Sequence, residues 1–116
     1  MSRTKQETFG ELIRRVRVEK DFGLREFAKL IGVSPTYLSQ VERGELGPPA
    51  EERVIKTAEL LELDKDELLA LAGRVSSDLE DIIRDKPKGT AILLRHVKGM
   101  TPKDLEKLNK DLGKKK

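Results

Sequence analysis

Cysteine and tryptophan are absent from these 116 residues, histidine occurs once (His96), and the aromatic side chains are Phe9, Phe22, Phe27 and Tyr37. Without cysteine there are no disulfides, thiolate metal sites or cysteine nucleophiles, which suits a reducing cytoplasm without demanding one. A lone histidine, no metal-ligand spacing and no glycine-rich phosphate loop leave an enzyme poorly supported. No cofactor or metal is expected, and His96 reads as a structural or surface residue. No apolar run approaches the roughly 20 residues that span a bilayer. The opening MSRTKQETF also lacks the apolar core of a signal peptide. The expectation is a cytoplasmic protein with no membrane partner.

Charge is what the chain has most of. Charged residues make up 39% and hydrophobic residues 36%, which implies a modest core under a heavily solvated surface. The net charge of +3 is unevenly spread. Residues 1–43 carry nine Lys/Arg against six Asp/Glu (+3), residues 44–73 three against eight (−5), and residues 74–116 twelve against seven (+5). A charge run is usually a solvated face. The basic first block is still compatible with a polyanionic partner.

Helical spacing runs through the whole chain. Residues 1–7 are polar and expected to fray. Thr8 and Glu11 have capping-box spacing and open a helix to about Asp21, with Phe9, Leu12, Ile13 and Val16 on its inner face. Phe22 should anchor the connection, and Gly23 should cap the next helix. The stretch LREFAKLIGVSPTYLSQVER (24–43) reads as two short helices joined by a tight turn. Phe27, Ala28 and Ile31 form the buried face of the first, and Gly32 stops it. Ser34 is a good N-cap and Pro35 a good first helical residue, so a second helix begins at once, with Leu38 and Val41 inward. The small Ala28 lets the two helices cross closely. This is helix-turn-helix grammar. The loop GELGPP follows, then a fourth helix over Ala50–Leu63, a fifth opened by Asp64 and Glu67, and a stop at Gly73.

Ala28, Gly32, Val33, Leu38 and Val41, followed by Glu42-Arg43-Gly44, resemble the Cro and phage-repressor (XRE) type of helix-turn-helix regulator. The resemblance covers roughly residues 8–73. It implies an all-α fold: a repressor-like DNA-binding bundle of about five helices, here followed by a short helical C-terminal extension. It also implies that Arg17 pairs with Glu42 on the recognition helix, the alternative being an exposed surface arginine.

An α-helix fits the major groove of double-stranded DNA, and its N-terminal residues reach base edges. With positions 38 and 41 inward, the outward set is Thr36, Tyr37, Ser39, Gln40 and Arg43, with Ser34 at the mouth. Gln40 suits the donor–acceptor edge of adenine. Thr36 offers a hydroxyl and a methyl. Ser34 and the free N–H groups beside it suit a phosphate. Arg25 and Arg43 are further candidates for phosphates. Tyr37 either lies along the DNA or packs on the fourth helix. Pro35 departs from the glutamine found there in several phage repressors, so their operators do not transfer.

Residues 74–112 form a second apolar set. Ser77 and Glu80 open one helix, which Pro87 ends. Thr90–Lys98 is the most apolar piece, bounded by Gly89 and Gly99. Thr101 with Asp104 opens a last helix bearing Leu105, Leu108 and Leu112, before a basic tail at 113–116. Such a segment struggles to bury a core alone. A homodimer interface at Leu93, Leu94, Val97, Leu105 and Leu108 is expected, the alternative being a tail folded back on its own first unit. The rival to a DNA-binding repressor is a protein-interaction module or antitoxin-type partner with the same fold.

Overall fold

A computed structural model describes residues 7–114. Every regular element among them is α-helical: α1 (Phe9–Glu19), α2 (Leu24–Ile31), α3 (Pro35–Glu42), α4 (Glu51–Leu61), α5 (Lys65–Leu71), α6 (Ser77–Asp85), α7 (Pro87–Val97) and α8 (Pro102–Gly113). No helix among the described residues is long and apolar enough to cross a membrane. The chain divides into two units, one ending at Ser76 and the other beginning at Ser77. The boundary expected at Gly73 falls three residues short because Arg74 belongs to the first unit. Its guanidinium donates to the carbonyls of Pro48 (3.2 Å) and Pro49, and Ser76 is buried.

Side chains set the helix ends. The Thr8 hydroxyl accepts from the Glu11 N–H (3.1 Å) while the Glu11 carboxylate accepts from the Thr8 N–H (3.0 Å), a complete capping box. Glu26 reaches back to the Gly23 N–H, and Asp64 accepts from the Glu67 N–H. α1 stops at Glu19 rather than near Asp21, since Asp21 takes a left-handed φ of 63°. α4 is shorter at both ends than the expected Ala50–Leu63. Ala50 is its N-cap, and Glu62 at φ 58° turns the chain left-handed before Leu63. Glu7 is not frayed: its carboxylate accepts from Arg15 Nε (2.7 Å) and Nη2 (3.0 Å). Residues 1–6 lie outside the described range.

The core of the first unit brings together Phe9, Ile13 and Val16 of α1, Phe27, Ala28 and Ile31 of α2, and Leu38 and Val41 of α3. Val54, Ala58 and Leu61 of α4 join them with Leu68 and Leu69 of α5. Leu12, Phe22, Val33, Ile55 and Leu71 pack at its margin, and the Phe22 ring meets Phe27 edge-on at 5.2 Å. α3 is thus held from behind by α1 and α2, while α4 packs on α1, α2 and α5.

The second unit differs in detail from its sequence reading. Pro87 starts α7 as well as following α6, because its fixed φ suits a first helical turn, where its missing N–H costs nothing. Gly89, expected to bound that helix, therefore lies inside it. Ser77 is the first residue of α6. Thr101 and Asp104 make a full capping box for α8, which runs through Gly113, so the basic tail begins one residue later than expected. α6 and α7 pack on one another, yet none of the three helices holds a buried residue.

Candidate nucleic-acid interface

The geometry of α3 is fixed at its front end by the turn before it. Gly32 takes φ 78°, a conformation that costs other residues strain, and the Ser34 hydroxyl accepts from the Tyr37 N–H at 3.0 Å. One residue that sequence reasoning did not single out closes this turn from the far side. Arg53 of α4 donates through Nη1 to the carbonyl oxygens of Ile31 and Gly32, both at 3.0 Å, satisfying the exposed end of α2. Its one signal in the sequence is a basic residue inside an acidic block.

The back end of α3 is held by charge. Arg17 and Glu42 meet through two parallel bonds, Nε to Oε2 at 2.7 Å and Nη2 to Oε1 at 3.0 Å. Their side chains are 8% and 3% exposed. The third arm of the guanidinium, Nη1, donates to the Phe22 carbonyl at 2.8 Å. One cation thereby joins α1, the turn after it and the last residue of α3. Arg17 therefore meets Glu42 as the resemblance implies, and the surface-arginine alternative does not hold.

Gly10 explains how the helices come that close. A Cβ placed on it would stand 2.7 Å from the Glu42 carbonyl oxygen and closer still to that of Val41. The first turn of α1 therefore abuts the last carbonyls of α3, positive helix end against negative. Nothing in a one-sequence reading marks this glycine, because the constraint comes from another helix.

The outward residues gather on one side of α3. Ser34 and Thr36 are exposed, and Ser39 and Gln40 half-buried. Tyr37 is also half-buried, packed at the margin of the core beside a small cleft lined by Val33, Ser34, Pro49, Ala50 and Arg53. That favours the packing alternative for its ring. Arg25 is exposed near the start of α2. Arg43 is exposed but occupied: Nε and Nη2 donate to the Glu45 carboxylate at 2.9 and 3.1 Å, and Nη1 donates to the Ser39 hydroxyl. The Glu45 hydrogen bonds and charge raise the Arg43 pKa, and those of Arg43 hold the Glu45 carboxyl below its ordinary range. Glu45 was not among the expected site residues. His96, on α7 of the second unit, is exposed and bonds the Ile92 carbonyl through Nδ1 (2.9 Å).

A family model described as a helix-turn-helix domain matches residues 8–71. The chain is similar to the HTH-type transcriptional repressor RghR of Bacillus subtilis, 33% identical over 69 residues that cover 60% of this chain and 51% of that protein. It is also similar to the HTH-type transcriptional regulator SinR of Bacillus licheniformis, 31% identical over 83 residues, 66% of this chain and 74% of SinR. Among solved structures, the DNA-binding domain of the P22 c2 repressor matches with a TM-score of 0.50 and 30% identity. That match covers 57% of this chain and 86% of the P22 chain. The chain spans about half the length of RghR.

Proposed function

The chain belongs to the helix-turn-helix domain family, and from that premise we propose that it is a transcriptional repressor binding double-stranded DNA by sequence, with α3 in the major groove. The observation that carries this reading is the division of labour on α3. Leu38, Val41 and Glu42 hold the helix from behind, while Ser34, Thr36, Ser39 and Gln40 lie along its other side, Ser34 capping the helix start and Ser39 accepting from Arg43. Gln40 reads an adenine edge, Thr36 a neighbouring base, and Ser34 with the first N–H groups of α3 binds a phosphate. Arg25 supplies a second phosphate contact and Arg43 a third, once it leaves Glu45. The work is binding rather than catalysis, in the cytoplasm and without a cofactor.

A monomer reads one half-site, whereas a two-fold dimer reads two, spaced by about one helical turn. We assign dimerisation to residues 74–112, where Leu93 and Leu94 are more than half exposed and Val97, Leu105 and Leu108 are half-buried.

The test is a fluorescence-anisotropy titration of DNA fragments recovered from a genomic pool by the purified protein. Wild type should bind with affinity that falls steeply with salt. Gln40→Ala should lose about 1–3 kcal/mol on the selected site and discriminate less at one base pair. No salt-dependent binding to any duplex would replace this reading with a protein-interaction module. Unchanged affinity and preference in Gln40→Ala would remove Gln40 from the base-reading set.

A further inference from the structure

The second unit carries two stripes that match in pattern and oppose in charge. On α6, Ile82 is 51% exposed, with Asp78 four residues before it and Asp85 three after. On α7, Ile92 is 47% exposed, with Lys88 four before and Arg95 three after. Residues at i−4 and i+3 share a helix face with residue i. Each isoleucine therefore sits between two charges, acidic on one helix and basic on the other; both aspartates also have interactions within the chain, Asp85 in an exposed ion pair with Lys86 at 2.9 Å. The wider balance agrees: residues 77–85 hold four acidic residues and one basic, and residues 86–98 hold four basic residues and none acidic. The packing of α6 on α7 within the chain leaves both isoleucines open, together with Leu79, Leu93 and Leu94.

We infer that a second copy of this chain covers these stripes, α6 of each copy lying antiparallel on α7 of the other. This rests on the dimer reading above and specifies its pairing. Ile82 then meets the partner copy's α7 stripe, while Asp78 and Asp85 face its basic residues. A two-fold axis that makes one such contact makes the reciprocal one automatically. Pairing α6 with α6 would set aspartates against aspartates, and α7 with α7 would set cations together, so the charges select the crossed arrangement. An anionic membrane fits less well, since the acidic helix accompanies the basic one.

Two charge-reversed versions of this 116-residue chain test the pairing by sedimentation. One is Asp78→Lys/Asp85→Lys and the other Lys88→Glu/Arg95→Glu. Each alone should dimerise about a hundredfold more weakly than wild type, since attraction becomes repulsion at both reciprocal contacts. Mixed in equal amounts they should recover dimers of wild-type size, because both crossed contacts of the mixed dimer are again attractive. Charges acting only within one chain cannot be rescued by mixing. A mixture that stays monomeric where wild type is dimeric would overturn the crossed pairing and leave the dimer standing. A wild type that is monomeric at tens of micromolar, with or without DNA, would overturn both.

Discussion

Gly10→Ala opposes two effects whose sizes the structure separates. Alanine is the better helix former by about 0.8–1.0 kcal/mol in a helix interior, and less at this first turn. Against that, the new methyl would stand 2.7 Å from the Glu42 carbonyl oxygen and 2.9 Å from its carbon, with the Val41 oxygen nearer still. Favourable carbon contacts lie at about 3.5–4.0 Å. All three obstacles are backbone atoms, so no rotamer change relieves them, and α1 must move off α3. That movement strains the 2.7 Å Arg17–Glu42 bond and the packing of α1 on α3 in the core. Overpacking of this kind typically costs about 1–3 kcal/mol, so the clash should win and the variant lose about 1–2 kcal/mol net. Urea unfolding followed by circular dichroism measures it, with the denaturant slope held as a check that only stability changed. A Gly10→Ala protein that gained stability instead would show that α1 and α3 do not approach as described.

The Arg17–Glu42 pair should show large coupling in a double-mutant unfolding cycle. Removing one partner should cost about 3–5 kcal/mol, and replacing both by apolar residues far less than twice that; coupling near zero would mean that the pair does not act as a unit. Glu45→Gln should free Arg43 for phosphate, raising DNA affinity and steepening the salt dependence by about 0.9 in the log–log slope. A fall in affinity would mean that Glu45 presents Arg43 instead of withholding it. Because Arg43 lowers the Glu45 pKa, this clamp is fully formed above the ordinary carboxylate range and is lost as pH falls through the depressed value. Glu62→Gly should stabilise the first unit by about 0.5–1 kcal/mol. It relieves a left-handed φ of 58° at the end of α4 and gives up only the exposed contact with Lys20, as a shift in thermal midpoint would report.

Most of the first unit was legible because its signals are local. Thr8/Glu11 and Ser34/Pro35 announce helix starts within three residues, and Gly32 announces a stop. The apolar spacing of Phe27, Ala28, Ile31, Leu38 and Val41 then leaves few ways to pack two short helices. The Arg17–Glu42 contact spans 25 positions and was reached only through the family resemblance, since spacing cannot bring such distant residues together. Gly10 and Arg53 escaped notice for the same reason: their partners, the carbonyls of 41–42 and of 31–32, are backbone atoms on other elements. Glu45 lay two residues from Arg43 in plain view, but a loop carboxylate beside a helix-end arginine has no fixed meaning until both rotamers are known. Pro87 misled because the residue that follows one helix also suits the start of another.

The braces on α3 have a consequence for change over generations. Arg17, Gly10 and Arg53 fix the position of the helix through groups that point away from its outward side, and Leu38 and Val41 bury the rest. Thr36 and Gln40 have no part in that bracing. On the proposed DNA-binding reading, substitutions at 36 and 40 therefore change which sequence is read while the fold keeps its footing, and a lineage drifts to a new operator in single steps without first finding a stabilising partner mutation. Ser34 and Ser39 lack this freedom, one closing the helix start and the other tied to Arg43. On that reading, retargeting is quicker at 36 and 40 than at 34 and 39.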